Sequence, residues 1–343
     1  MYRILYNGES LTNQRAPEFA FAEGDLAQKV NTVDSFGFLL PAKHPLIGFP
    51  EVRSGVVRLY FKDKPLFAGD ILNVTRSFLG AVQFTCQGAL GWLHDVVLVR
   101  PQFSGTVQSA WQWLITQYNA ACSENRKIVC GTCNVSGNHV FDYQTDFAEV
   151  FDLAKKLIEA HGGYVNVRYE GEDIILDYVA DNTRVSGQYI TFGQNLTDLQ
   201  NFIDGDALFS RIYPTGKDGI DISSVNSGAY YLENTFAKAF HGDIGKAVKF
   251  DIDTPAALKT AAEAYLAEQA LATQTLTLTA FDLSLLDSTI DSFEVGDSVR
   301  VRSPAHGIDT TLKVSEKITS LTSPANSKVT LGRALKGISD ITA

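Results

Sequence analysis

Apolar and polar positions alternate through most of residues 2–95. Val57, Leu59 and Phe61 share one face of an extended segment, the period-2 pattern of a strand with one buried side. Lys62-Asp-Lys-Pro65 supplies turn chemistry, and Leu66 to Val74 resumes the pattern, which predicts a charged hairpin. Further strands are expected at Arg3–Tyr6, Gly24–Val33, Phe36–Leu40 and Ala81–Cys86, separated by Gly, Pro, Asn and Asp. Pro41 to Pro50 cannot continue a regular element and reads as a long loop. Nearby antiparallel strands of this kind predict a barrel or sandwich.

The period changes near residue 100. Val107, Ala110, Trp111, Leu114, Tyr118 and Ala121 recur at helical spacing. A second helix is expected to open at Asp146, with Glu149 completing a capping box, and to end at Gly162 in a left-handed cap. Tyr164–Tyr169 and Ile174–Val179 form a hairpin around Gly171. Residues 96–184 therefore read as a self-contained α/β insertion whose removal would spare the rest. Downstream, Gly187–Leu199 and Ala207–Gly216 return to strand-like text. Thr254 and Pro255 open a third helix that packs through Leu258, Ala261, Tyr265 and Leu266, and Thr273–Phe281 is a half-buried strand.

At 343 residues the chain exceeds one hydrophobic core, so roughly two to four domains are expected. A hydrophobic share of 45% with 20% charged residues is ordinary for a globular protein, and 21 Phe and 13 Tyr favour strands. The net charge of −10 argues against specific nucleic-acid binding, which needs clustered cations. Lys155-Lys156 and Arg300-Val-Arg302 read as solvated faces. The N-terminus reads directly into a strand without a secretory signal, and no apolar run is long enough for a membrane anchor, so synthesis in a cytoplasm is expected.

Candidate chemistry is sparse. Cys130-Gly-Thr-Cys133 lacks the second ligand pair of a zinc ribbon, which leaves a structural reading beside a metal or redox one. Cys86 and Cys122 fit apolar packing positions. The histidines are scattered; His139 and His161 alone lie within thirty residues of each other. There is no His-Glu-x-x-His helix, no Gly-x-Ser-x-Gly elbow and no phosphate loop. Glu170/Glu172 and Asp218/Asp221 lie in turns, where polar residues are expected anyway. No catalytic, cofactor-binding or metal-binding residue is assigned.

Several phrases, in order, resemble one known family. They are Phe67-Ala-Gly-Asp70, then Gly91-Trp-Leu-His94, then Ile190-Thr-Phe-Gly-Gln-Asn-Leu-Thr-Asp-Leu199. Arg211-Ile-Tyr-Pro-Thr-Gly-Lys-Asp218 and Val225-Asn-Ser-Gly-Ala-Tyr-Tyr-Leu-Glu-Asn234 follow, then Phe281-Asp-Leu-Ser-Leu-Leu286, Phe293-Glu-Val-Gly-Asp297 and a last strand near Ser327–Arg333. Together they resemble phage tail-tip and baseplate hub proteins, the group often labelled prophage endopeptidase tail or tail-associated lysin. The resemblance implies an α+β, predominantly β fold: two tube-like β domains, an inserted α/β domain and a C-terminal β domain. The implied boundaries are 1–95 plus 185–225, 96–184, 226–290 and 291–343. It further implies a homotrimeric ring in the virion that closes the tail tube and contacts distal tail, tube and tape-measure proteins. Such a ring would attach host-recognition or lytic modules, and DNA would pass its lumen. A tail-associated endopeptidase or cell-wall hydrolase is the alternative.

Overall fold

The computed structural model describes residues 2–13, 16–203, 209–272, 274–287 and 289–332. The N-terminal strands are β1 (Tyr2–Tyr6), β2 (Glu9–Ser10), β3 (Glu23–Lys29), β4 (Ser35–Leu40), β5 (Val57–Phe61), β6 (Lys64–Arg76) and β7 (Val82–Gly88). The expected hairpin is β5–β6, turning at Lys62-Asp63, and the 41–50 stretch is a turn-rich loop. The inserted segment holds β8 (Val97–Val99), β9 (Gln102–Thr106), α1 (Val107–Ala121), β10 (Val129–Cys133), β11 (Asn138–Asp142), β12 (Phe147–Glu149), α2 (Val150–His161), β13 (Tyr164–Glu170) and β14 (Asp173–Val179). Beyond it come β15 (Ile190–Thr191), β16 (Leu196–Ile203), β17 (Arg211–Thr215), β18 (Leu232–Glu233), α3 (Thr235–His241), β19 (Gly245–Lys249), α4 (Pro255–Ala272), β20 (Gln274–Ala280), β21 (Ser298–Ser303), β22 (Ile308–Ser320) and β23 (Lys328–Gly332).

The fold is α+β and mostly β. Its main sheet runs β20-β23-β22-β3-β4-β7-β6-β5-β1-β2, with β21 against β22 and β15 against β21. Ile4, Leu26, Phe36, Phe38, Val57, Leu59, Phe67, Ile71 and Phe84 alternate inward along these strands into one buried cluster. Phe38 stacks on Phe36 at 5.3 Å and on Phe84 at 4.9 Å, ring pairs that add to simple area burial.

The inserted segment is not self-contained. β6 is buried without interruption from Phe67 to Ile71 because both its faces are covered. Phe67 and Ile71 enter the sheet cluster, whereas Ala68 joins a second cluster with Leu90, Trp92, Leu93, Trp111, Leu114, Leu153, Leu157 and Tyr178. The insertion thus completes its core with residues that precede it. α1 forms within the stretch whose spacing predicted it, capped by the Thr106 hydroxyl accepting from the Ser109 N–H. The expected capping box at Asp146 does not form. Phe147–Glu149 pairs as a strand with Val97–Val99, and α2 starts at Val150 without a side-chain cap. The β13–β14 hairpin turns at Gly171, and α2 ends at Gly162, whose φ of 67° and ψ of −157° is a positive-φ cap but not the expected left-handed one.

By contacts the chain divides into residues 1–198 with 278–343, and residues 199–277. The expected boundary between 225 and 226 therefore falls inside the second unit. The expected separate domain at 291–343 instead supplies β21–β23 to the main sheet, because β22 pairs with β3 from Lys29 to Asp25. Within residues 199–277, β17 pairs antiparallel with β18 and parallel with β19, and Phe209, Ile212, Ala262 and Leu266 form the core. α4 buries Ala262 rather than Ala261, and α3 carries no expectation from the sequence. The start of the expected 207–216 strand lies outside the described residues.

Candidate functional site

The phrases that suggested a family converge on three polar nodes. The first joins Phe67-Ala-Gly-Asp70 to the turn at Ala89–Asp95. Asp70 is fully buried on the outer face of β6, where it accepts the Trp92 indole N–H at 2.9 Å. Arg53 Nη1 lies 3.1 Å and Arg126 Nη2 3.2 Å from its other oxygen. Both guanidiniums continue to Asp95, and Arg126 also lies 5.6 Å over the Trp92 ring. One carboxylate therefore ties β6, the 51–55 loop, the turn before the insertion and the loop after α1. Gly69 is required here: a β-carbon would lie 1.9 Å from the Gln87 carbonyl oxygen of β7.

The second node uses Ile190–Leu199 and Phe281–Leu286. Asn195 is buried and accepts the Thr191 N–H while its amide donates to Gln188 Oε1 and the Tyr189 carbonyl. Gln188 donates to Asp282 Oδ1 at 3.1 Å and to the Asp291 carbonyl at 2.8 Å. Burial alone would raise the Asp282 carboxyl; Lys317 at 3.1 Å, with Ser284 and Gln188 donating, holds it below the usual range. Nearby, burial pushes Asp297 up to about 6, against the Glu294 N–H and Arg184.

The third node lies within residues 199–277. Arg211 pairs with Glu233 at 2.5 Å and Asp243 at 3.1 Å and lies 4.2 Å over Tyr231. Lys238 bridges the same two carboxylates. Asn234 caps α3 by accepting the Ala237 N–H, and Asn226 donates to the Ala229 and Tyr231 carbonyls.

Other singled-out residues are engaged in local structure. His44 is buried between the Leu11 carbonyl and the Leu46 N–H. His94 meets Glu149 and stacks on Phe151 at 3.8 Å. His306 meets Ser303. The structure brings His139 and His161 to 3.1 Å, and burial, followed by His161, lowers the His139 pKa. The side chain of His241 lies outside the described residues. Cys130 and Cys133 are free thiols on β10, and burial raises both pKa values, away from the thiolate that metal binding or attack requires. Glu170 pairs with Arg168, Glu172 with Arg58, and Asp221 receives Ser223 in a turn. Among the described residues no group of three or more His, Cys, Asp or Glu is placed to hold a metal, and no helix is long and apolar enough to cross a membrane.

One open groove of about 660 Å³ runs between β3, β13 and the 294–297 turn, with mixed charge on its walls. Asp34 sits in it, raised to about 7 by burial despite a hydrogen bond from Gln28. Sequence reasoning missed Asp34, because nothing in Val33-Asp34-Ser35 distinguishes an exposed turn carboxylate from a half-buried one.

Residues 184–342 match the family described as prophage endopeptidase tail. Over nearly its full length the chain is similar in fold to solved phage tail proteins. A tail protein from Neisseria meningitidis MC58 superposes with a TM-score of 0.65 at 15% identity, covering 96% of this chain and 95% of that one. The 43 kDa tail protein of prophage MuSo2 from Shewanella oneidensis gives 0.69 at 10% identity, covering 96% of each. Prophage tail protein gp18 from Listeria monocytogenes EGD-e gives 0.60 at 13%, covering 98% and 95%. No curated protein sequence matches the chain.

Proposed function

We propose that this protein is a structural hub of a phage or prophage tail tip. It would form a trimeric ring that closes the tail tube, docks the distal tail protein and carries host-recognition or lytic modules. The observation that carries this reading is the fold shared with tail proteins over at least 96% of the chain. The three nodes support it, since the family-like phrases hold segments of the chain together through buried and half-buried polar contacts. In a ring, sheet edges meet a neighbour instead of solvent, which suits a β-rich protein that works as part of a particle. The virion is then its working location, with DNA passing the lumen without specific binding.

The test is deletion of the gene from an inducible prophage, with electron microscopy of the particles and light scattering on the purified chain. Missing or uncapped tails and a trimeric mass are expected. Normal, infectious tails without the protein would refute the reading. The family description also names an endopeptidase. Peptidoglycan digestion by the purified chain, surviving a control purification, would favour that activity.

A further inference from the structure

We propose that copies of this chain join head to tail, the β6–β7 hairpin tip of one seating on the β8–β12 ribbon of the next. This proposal rests on the ring reading and names the surfaces that would build the ring. At the tip, Phe78 is fully exposed and Leu79 is 82% exposed. Two adjacent apolar side chains in water at a turn are costly for a protein that works alone, and mark a contact. Arg76 and Lys43 flank the tip; residues 73–83 and 41–50 contain no carboxylate. The two stretches are neighbours, since a β-carbon on Gly80 would lie 3.1 Å from that of Ala42. In an acidic chain this end of the hairpin is both cationic and apolar.

The ribbon is its complement. Phe147 pairs opposite Val99 and Glu149 opposite Val97, so Val97, Val99 and Phe147 share one face. They are 54%, 69% and 66% exposed, while Leu98 and Ala148 turn inward. Residues 142–152 add Asp142, Asp146, Glu149 and Asp152 and no cation. Among the described residues neither Arg76 and Lys43 nor Asp142 and Asp146 form an ion pair. Apolar centre meets apolar centre, and cations meet carboxylates at the rim, the arrangement of a specific interface.

Topology sets the direction. β7 starts at the tip and leads, through the Ala89–Asp95 turn, to β8. The seven residues of β7 span roughly 20 Å. The two surfaces therefore lie beyond opposite ends of β7, the tip before its first residue and the ribbon after the turn that follows its last. Unlike surfaces at opposite ends give a heterologous contact, which closes into a ring when the rotation per subunit allows.

The test uses the full chain with two variants, Phe78→Ser/Leu79→Ser at the tip and Val99→Thr/Phe147→Thr on the ribbon, the latter keeping strand-favouring residues in the directly opposed pair. All four positions are exposed, so circular dichroism and melting should match the parent, confirming that both variants fold. By sedimentation velocity at high concentration the parent should assemble and each variant should weaken assembly by at least about tenfold. An equimolar mixture retains one intact tip–ribbon pair and should give dimers but no larger ring. A parent that stays monomeric at high concentration would assign the tip to a different partner and overturn the proposal. Trimers that persist in both variants would overturn this contact while leaving the ring itself standing.

Discussion

Replacing Asp70 by Ala tests whether one buried carboxylate holds the insertion to the sheet. Asp70 has no exposed surface, and it accepts from Trp92, Arg53 and Arg126. Removing one partner of a buried ion pair costs roughly 3–5 kcal/mol, because the remaining charge stays buried. The indole N–H of fully buried Trp92 would lose its acceptor, which costs about 1–3 kcal/mol more. The first figure needs discounting. Arg53 is 38% exposed and both guanidiniums keep Asp95. A net loss of about 4 kcal/mol is expected, against total stabilities of roughly 5–15 kcal/mol for a domain. That corresponds to a fall in melting temperature on the order of 10 °C. Urea denaturation followed by tryptophan fluorescence is suitable, since Trp92 and Trp111 both lie in the shared cluster. Asp70→Asn should lose less, because its amide oxygen can still accept from Trp92. A loss under about 1 kcal/mol for Asp70→Ala would refute the argument and show the node to be passive.

Gly69→Ala should be at least as damaging, about 4 kcal/mol or more, since the clash is with the Gln87 backbone on the neighbouring strand; soluble yield and melting check it. Replacing residues 96–184 by a short linker should abolish cooperative unfolding and expose Trp92 and Leu93 to dye binding, because these residues belong to the core completed by the insertion. Asp34→Asn should flatten part of the pH profile. The folded carboxyl titrates near 7 against an ordinary 3.8, so the folded state holds the extra proton. Its contribution is complete below about pH 3.8 and lost as pH rises through about 7. The variant should match the parent at pH 4 and exceed it at pH 8 in denaturant melts, by an amount up to a few kcal/mol.

Much of the architecture was legible without coordinates. Period-2 burial gave the β5–β6 hairpin, helical spacing gave α1, and Gly171 gave the β13–β14 turn. These are local decisions, taken within a few residues by side-chain direction and backbone freedom. The failures were also local in appearance and tertiary in cause. Asp146 and Glu149 have the spacing of a capping box, yet β8 offered Phe147–Glu149 a strand partner, and pairing outweighed capping. The insertion looked independent because its ends read as loops, but its core borrows Ala68 and Trp92 from the preceding chain. Residues 291–343 looked like a domain apart because sequence cannot show that β22 returns to β3.

The family-like phrases divide the same way. Their order along the chain was a property of the sequence and was enough to point to tail proteins. That Trp92, Arg53 and Arg126 meet at the buried Asp70 carboxylate, while Gln188 and Lys317 meet at Asp282 with Asn195 bonded to Gln188 behind them, was decided by the folded chain. Such nodes join residues tens of positions or more apart, and their value depends on exclusion of water, which no spacing rule encodes. The sequence by itself determined which segments are strands and helices and which kind of protein they resemble. The tertiary structure decided which polar side chains are withdrawn from solvent, and hence which of those phrases are fastenings.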